Sequence, residues 1–375
     1  MVNDNIEINK NHTMNFSNKP VLVFWETTRA CLLACKHCRA SAIRTPLPGE
    51  LTTEEGFELI DKISSFGVPP PVLILTGGDP LLRQDLFTLM EYAGKAGLKF
   101  AVSPAVTDKL THEMLAKLKD CGTSSISISL DGAVRETHDN IRGVDGTFER
   151  TIAVVNDAVN LGLGVQINTT VMKKNIYELP EIFHLIKKLG VKTWEVFFLI
   201  KIGRGLEIEG ITPEEYEGVC NFLYDASRYG LVVRTVEGPS VRRVAAMRFK
   251  YGEYFNGDAY KKLHSELIRL EGNPVSLSTI ATRGTMDGDG IIFVGYDGAI
   301  QPSGLLPLCL GNIKTDDLSE TYRNNKILKA IRNRELSGQC GACEYKIICG
   351  GSRSRAYSGG NGPTASDPLC NYSIR

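Results

Sequence analysis

Between residues 20 and about 230 the chain switches six times between a short apolar run rich in β-branched residues and a longer amphipathic run. This alternation narrows the possible folds more than any other feature. The strand-like runs lie at 21–27, 72–76, 99–103, 125–130, 165–171 and 193–199, and helix-like runs follow at 53–66, 85–96, 111–120, 147–161, 176–189 and 213–229. Strands separated by helices of this length pair in parallel through right-handed crossovers, which leaves an open doubly wound sheet or a barrel. Several helix starts are readable: Thr52 stands before Glu54 and Glu55, and Thr212 before Pro213, Glu214 and Glu215, the order of a capping hydroxyl, a first-turn proline and first-turn acids. Six repeats fall short of the eight that close a full barrel. As a barrel this α/β protein would be a partial (β/α)6 TIM-like one, and in either arrangement ligands gather at the carboxyl ends of the strands.

Past this region the pattern changes. Residues 236–289 lack the alternation and read as a bridge, with helices at 241–249 and 260–270 and a glycine-rich loop at 284–290. From 290 to 375 a hairpin turning at Asp297 and Gly298 leads into one helix at 318–333 and then a segment rich in Cys and Gly. So few hydrophobes imply a small domain that needs a staple. Residues 1–19, rich in asparagine, read as a flexible tail, and 20–235 as the barrel. A chain of 375 residues suits one large unit with a small appendage.

The ten cysteines are unevenly spread, with three at 31–38 and five at 309–370. The first 18 residues lack the apolar stretch of a signal peptide. No apolar run approaches the roughly 18 residues of a membrane span, so a cytoplasmic protein is expected. Cytosolic thiols stay reduced, and clustered ones there point to metal. Cys121 and Cys220 stand alone and read as small buried hydrophobes. Lys+Arg and Asp+Glu balance at 43 each, so no overall field favours nucleic acid or an anionic membrane as partner.

Cys31, Cys35 and Cys38 lie in WETTRACLLACKHCRASA, directly after the first strand. Their spacing would also fit one stripe of a helix, but Lys36, His37 and Arg39 crowd the same turn. A helix would also spread them over about 10.5 Å, too far for thiolates gripping one compact centre. A loop curled round that centre is expected instead. A cubane [4Fe–4S] cluster normally takes four thiolates, so three leave one iron open, by the logic that separates catalytic from structural zinc. CLLACKHC, in this place, resembles the CxxxCxxC signature of the radical S-adenosylmethionine (radical SAM) enzymes. The resemblance implies that Cys31, Cys35 and Cys38 hold an open [4Fe–4S] cluster to which S-adenosyl-L-methionine binds. It also implies reductive cleavage of that cofactor to a 5′-deoxyadenosyl radical, and hydrogen abstraction from a substrate.

Further residues take roles from the same resemblance. Gly77, Gly78 and Asp79 in LTGGDP match the family's GGE motif at the methionine amino group, with Asp79 where glutamate is commoner. A plain turn with Asp79 as cap and Pro80 at the first helical position accounts for them as well. Ser129, ending SISISLDG, and Arg142 in HDNIRG would meet the ribose and carboxylate of the cofactor, the arginine pairing bidentately. Asn168 with Thr170, and Leu199 with Phe198, would line the adenosine. No catalytic side chain of the protein itself is assigned.

Cys340, Cys343, Cys349 and Cys370 form C-x2-C-x5-C-x20-C, enough thiols for a closed four-ligand site. A zinc ribbon would use the same set. The segment resembles the SPASM domain that follows many radical SAM barrels and carries auxiliary iron–sulfur clusters. Ser303 and Arg353 stand where that pattern often has cysteines, so one fully ligated auxiliary [4Fe–4S] cluster is expected, acting as an electron relay. Cys309 is left as a packed thiol. PSGLLPLCLGNI, CGACEYKIICGGSRSRAY and DPLCNY look most like the branch serving haem biosynthesis and haem d1 maturation. That likeness implies a tetrapyrrole such as iron-coproporphyrin as substrate, oxidative decarboxylation or side-chain loss as reaction, and a ferredoxin or flavodoxin as electron donor. Arg353, Arg355, Lys201 and Arg204 would then pair with propionates, or else be solvated charges. Maturation of a ribosomally made peptide is the competing enzymatic reading. A non-catalytic iron–sulfur or zinc protein is the third.

Overall fold

In the strands, apolar and polar residues alternate, and this decides which way the sheet faces. Val23 and Trp25 of β1 (Leu22–Glu26), Leu73 and Leu75 of β2 (Val72–Thr76), and Ile126 and Ile128 of β4 (Ser125–Ser129) are fully buried. They share one core with Ile167 of β5 (Gly164–Val171) and with Trp194 and Val196 of β6 (Thr193–Phe198). The helices supply the other half of that core: Leu59 and Ile63 from α1 (Thr53–Ser64), Leu89 from α2 (Leu86–Lys95), Leu115 from α3 (His112–Asp120). Val155 of α5 (Thr147–Asn160), Phe183 of α6 (Leu179–Lys188) and Phe222 of α7 (Pro213–Ala226) continue it. Each such side chain contributes about 1.5–3 kcal/mol by burial. The capping boxes of Thr52 with Glu55 and Thr212 with Glu215 add about 1 kcal/mol each. Packing, more than end effects, therefore holds the helices on the sheet.

The computed structural model describes residues 16–253 and 255–374. Most of the tail expected at 1–19 lies outside the described residues. The part inside is tied down, with the Tyr322 hydroxyl donating to the Phe16 carbonyl at 2.7 Å and Arg323 Nε to the Asn18 carbonyl at 2.8 Å.

The sheet is larger than the six repeats predict. β1 pairs in parallel with β2, then β3 (Phe100–Val102), β4, β5, β6 and a seventh strand, β7 (Val232–Val236). After the bridging helices α8 (Ser240–Tyr251) and α9 (Asp258–Glu271), the chain returns as β8 (Ile291–Val294), which lies parallel to β1 on its other side. The hairpin expected at Asp297 and Gly298 does form, between β8 and β9 (Ala299–Gln301), and β10 (Gly311–Asn312) completes a single ten-stranded sheet. The start of the Cys-rich region thus extends the barrel sheet. Residues from all eight parallel strands line one cavity of about 560 Å³, so the sheet wraps round its polar face as a partial barrel, with β7 and β10 as its edges.

Three smaller differences have local causes. The segment at 318–333 is two helices, α10 (Leu318–Asn324) and α11 (Lys326–Arg332), because Asn325 is extended and its side chain caps the second through the amides of Ile327 and Leu328. A polar helix, α4 (Arg135–Arg142), precedes α5. Two short helices, α12 (Gly338–Ala342) and α13 (Arg353–Ser358), flank the last cysteines. Cys220 is buried and Cys121 half-buried. Among the described residues no helix is long and apolar enough to cross a membrane.

Candidate active site

The segment from Thr27 to Gly49 forms no helix, and the first three cysteines lie on it as a loop. Neighbours hold it from several sides. The Ala34 and Lys36 amides donate to the Arg142 and Ile141 carbonyls at the end of α4, at 3.2 and 2.9 Å. Arg204 donates to the Cys35 and Ala42 carbonyls, both at 2.8 Å. Beyond β2, the Gly78 and Asp79 amides donate to the Thr28 and Ala30 carbonyls, each at 2.7 Å. The two glycines are needed for this approach, since a Cβ would stand 2.5 Å from the Thr28 carbonyl oxygen at Gly77 and 2.2 Å from that of Ala30 at Gly78. Close contact with the cysteine loop, alongside the cavity, is thus what these glycines serve. Asp79 caps the turn Pro80–Leu82 as expected, accepting from Leu81 N–H at 3.1 Å and also from Ala105 N–H at 3.3 Å. Its Oδ2 is buried with no hydrogen-bond partner among the described residues, and burial pushes the carboxyl up to about 6.

N–H donors surround the three sulfurs. Leu33 N–H points to Cys31 Sγ at 3.4 Å, Ala42 N–H to Cys38 Sγ at 3.5 Å, and an Arg142 N–H to Cys35 Sγ at 3.6 Å. Burial pushes the Cys31 thiol up to about 12, so it becomes a thiolate only when a cationic centre draws the proton off. Arg142 is also ion-paired with Asp131. Burial, the largest single influence, would raise the Asp131 carboxyl, but the Arg142 guanidinium, His37, the Thr170 N–H and His138 together outweigh it and hold the group below its ordinary range. Asp131 further accepts from Thr170 N–H at 2.7 Å and lies 3.8 Å from His37. Arg142 Nε has no partner among the described residues. The structure brings Gly77, Gly78, Ser129, Arg142, Asn168, Thr170, Phe198 and Leu199 together with the three cysteines on one cavity wall.

Cys340, Cys343, Cys349 and Cys370 wall a second, smaller cavity with Arg243, Tyr345 and Tyr372. Here too donors face sulfur: Asp367 N–H to Cys340 and Tyr345 N–H to Cys343, both at 3.4 Å, and Arg353 to Cys340 at 3.7 Å. Gly351 lines both cavities. Among the described residues no three or more His, Cys, Asp or Glu side chains converge as a single metal ion requires. The thiols instead ring spaces, and five of the seven sulfurs are offered N–H bonds of the kind that tune iron–sulfur sites. Soft donors in this arrangement fit clusters at both places.

Several expectations need correction. Arg353 is buried, its guanidinium donating to the Gly351, Pro363 and Ala365 carbonyls as well as to Cys340. Arg355 is buried in an ion pair with Asp367 at 2.8 Å. Lys201 bonds the Ile208 carbonyl, and Arg204 is occupied by the cysteine loop. None of the four is a cation waiting in the cavity, because each satisfies nearby backbone or carboxylate oxygen. Cys309 is exposed, where a packed thiol was expected. Ser303 closes a turn, its hydroxyl accepting from Leu305 and Leu306 N–H at 3.2 Å. The sequence reading also missed Arg39, Arg234, Arg242, Glu237 and Asp287, which all line the central cavity. Glu237 adopts φ 58° and accepts from Ser352, and burial, reinforced by Asp287, pushes its carboxyl well above the ordinary range.

Residues 25–186 match the model of the Radical SAM superfamily. The chain is 36% identical over 361 residues to the AdoMet-dependent heme synthase of Methanosarcina barkeri, covering 95% of this chain and 97% of that protein. It is 30% identical over 364 residues to the pre-heme d1 synthase of Dinoroseobacter shibae, covering 94% and 86% respectively. Its fold is similar to that of Streptococcus suis SuiB bound to S-adenosylmethionine, with TM-score 0.66, 16% identity, and coverage of 95% of this chain and 78% of that one.

Proposed function

The chain belongs to the radical SAM superfamily, and from that premise we propose that it modifies a carboxylate-bearing tetrapyrrole, by oxidative decarboxylation or loss of a side chain. The family's cofactors, a [4Fe–4S] cluster and S-adenosylmethionine, supply when bound a 5′-deoxyadenosyl radical that takes a hydrogen atom from substrate. Cys31, Cys35 and Cys38 would hold the cluster, with the Leu33 and Ala42 amides and Arg142 steadying the sulfurs. Gly77, Gly78, Asp79, Ser129, Arg142, Asn168 and Leu199 would surround the cofactor. The unpartnered Oδ2 of Asp79 and Nε of Arg142 suit its amino and carboxylate groups.

The cavity has two characters. Phe24, Ile74, Ile291 and Phe293 make one side apolar, while Ser127, Gln166, Asn168, Glu195 and Arg234 make the other polar. Such a wall suits a flat apolar macrocycle edged with acids. At about 560 Å³ the space lies within the usual range for small-molecule sites. Cys340, Cys343, Cys349 and Cys370 would ligate an auxiliary [4Fe–4S] cluster completely, leaving no position for substrate and suiting that site to electrons. Removing a hydrogen atom and carbon dioxide from a propionate leaves one electron to be taken up, and a cluster at the four-thiol site, which shares Gly351 with the large cavity, would be a nearby acceptor for it. A ferredoxin or flavodoxin would deliver the first electron.

The observation that carries this reading is one cavity with three thiols on its wall, joined through Gly351 to the four-thiol site. Anaerobic reconstitution followed by incubation with S-adenosylmethionine, reductant and iron-coproporphyrin III tests it. The expected result is about eight irons per chain, as two cubanes require, with 5′-deoxyadenosine, carbon dioxide and a vinyl-bearing product. 5′-Deoxyadenosine without any change in the tetrapyrrole would sink the substrate assignment. Bound zinc with no cofactor cleavage would sink the enzyme.

A further inference from the structure

We propose that Arg234 anchors a carboxylate of the substrate inside the barrel, a role that rests on the tetrapyrrole reading above. Six arginines line the central cavity: Arg39, Arg142, Arg204, Arg234, Arg242 and Arg353. Five are already engaged. Arg142 pairs with Asp131, Arg204 and Arg353 serve backbone carbonyls, and Arg242 donates to the Thr285 carbonyl at 2.8 Å. Arg39 lies 3.3 Å from Glu26 and 4.7 Å from the centroid of the Phe293 ring. Arg234 has neither a hydrogen bond nor an ion pair with any of the described residues, although it lines the cavity.

Its direction follows from the strand. Val233 is buried in the outer core, so Arg234 faces the other way, toward the cavity, and is exposed at its open edge. The register then puts it at the end of a row: Ser129 pairs with Asn168, Asn168 with Glu195, and Glu195 with Arg234. With strands about 4.8 Å apart, that row runs about 14 Å across the interior wall. It begins at residues assigned above to the cofactor and ends at a guanidinium near the sheet edge. Glu195, the adjoining acid, takes its hydrogen bond from Gln166 at 2.8 Å. Burial pushes its carboxyl up while Arg234 and Gln166 pull it down, and no ion pair joins Glu195 to Arg234.

A guanidinium set across from Glu195 but hydrogen-bonded to no carboxylate is open to one from a ligand, and its planar fork matches a carboxylate bidentately. The apolar half of the wall would take the rest of the ligand. An acid-bearing macrocycle therefore has one charged handle in the barrel, and an esterified one has none.

Titrations of the reconstituted wild type, Arg234→Gln and Arg234→Lys with iron-coproporphyrin III and with its tetramethyl ester, followed by the Soret band, test this. Wild type should bind the acid at least about tenfold more tightly than the ester. Arg234→Gln should lose roughly ten- to a hundredfold for the acid, the usual scale of a charged hydrogen-bonded pair, and nothing for the ester. Arg234→Lys should retain part of the preference. Equal binding of the acid by wild type and Arg234→Gln, with unchanged circular dichroism, overturns the assignment and leaves the tetrapyrrole reading standing. No Soret change in wild type with either porphyrin overturns both.

Discussion

Cys31, Cys35 and Cys38 come from eight consecutive residues on a loop gripped from behind by Arg204 and the end of α4, and their free side is the wall of the barrel cavity. Cys340, Cys343, Cys349 and Cys370 are gathered from a longer stretch and close round a small space of their own. Both groups receive N–H bonds at sulfur, at 3.4 to 3.7 Å. What differs is the count of thiols and the direction they face. Three on the wall of a large cavity leave room beside them for a ligand, whereas four round a small one would complete a cluster's ligation by themselves.

Replacing Cys31, Cys35 and Cys38 together by Ala should break the first half of this comparison completely. Formation of 5′-deoxyadenosine falls to background, and iron drops from about eight to about four per chain, measured by chromatography and iron analysis. Cys340→Ala should produce the opposite pattern. Cofactor cleavage persists, while porphyrin product falls by an order of magnitude or more, so that 5′-deoxyadenosine exceeds product. If both variants lose cleavage equally, the division of labour is wrong.

A third variant addresses stability. Arg355 and Asp367 are 5% and 0% exposed in their side chains, so Arg355→Ala strands a buried carboxylate beside the second site and should cost about 3–5 kcal/mol in denaturant unfolding. The first site's counterpart, Arg39 with Glu26, is 25% and 7% exposed and longer at 3.3 Å, so Arg39→Ala also leaves a buried carboxylate but beside a wetter partner, and should cost less, about 1–3 kcal/mol. The smallest effect concerns potential. Arg353 sits 3.7 Å from Cys340 Sγ, and Arg353→Met removes that cation, so the auxiliary centre should become harder to reduce. An EPR-monitored redox titration would show its signal moving to lower potential while that of the first site stays in place.

The barrel's first six strands and most of its helices were legible in the sequence because strand and helix periods differ and caps such as Thr52 and Thr212 mark the starts. Cys31, Cys35, Cys38, Ser129 and Asn168 were singled out by resemblance to a known family, carried by CLLACKHC and SISISLDG, and the structure puts all five on the cavity wall. β7 and β8 were not legible. VVRTV carries a charge in mid-strand, and β8 pairs with β1 only after the chain has passed through α8 and α9, a register that no local pattern encodes. Arg355 reads as a free charge until Asp367, 12 residues on, is found beside it. Polar α4 escaped because its buried residues, Thr137, His138, Asp139 and Arg142 among them, are sequestered by hydrogen bonds and ion pairs, leaving no apolar stripe to detect.

The most direct test of one open and one closed site is EPR of the reduced, reconstituted protein with and without S-adenosylmethionine. Two cluster signals are expected. The cofactor should shift one and leave the other unchanged, and in the Cys31, Cys35, Cys38 triple Ala variant the remaining signal should ignore the cofactor. A cofactor-induced shift that survives in the triple variant would contradict the account.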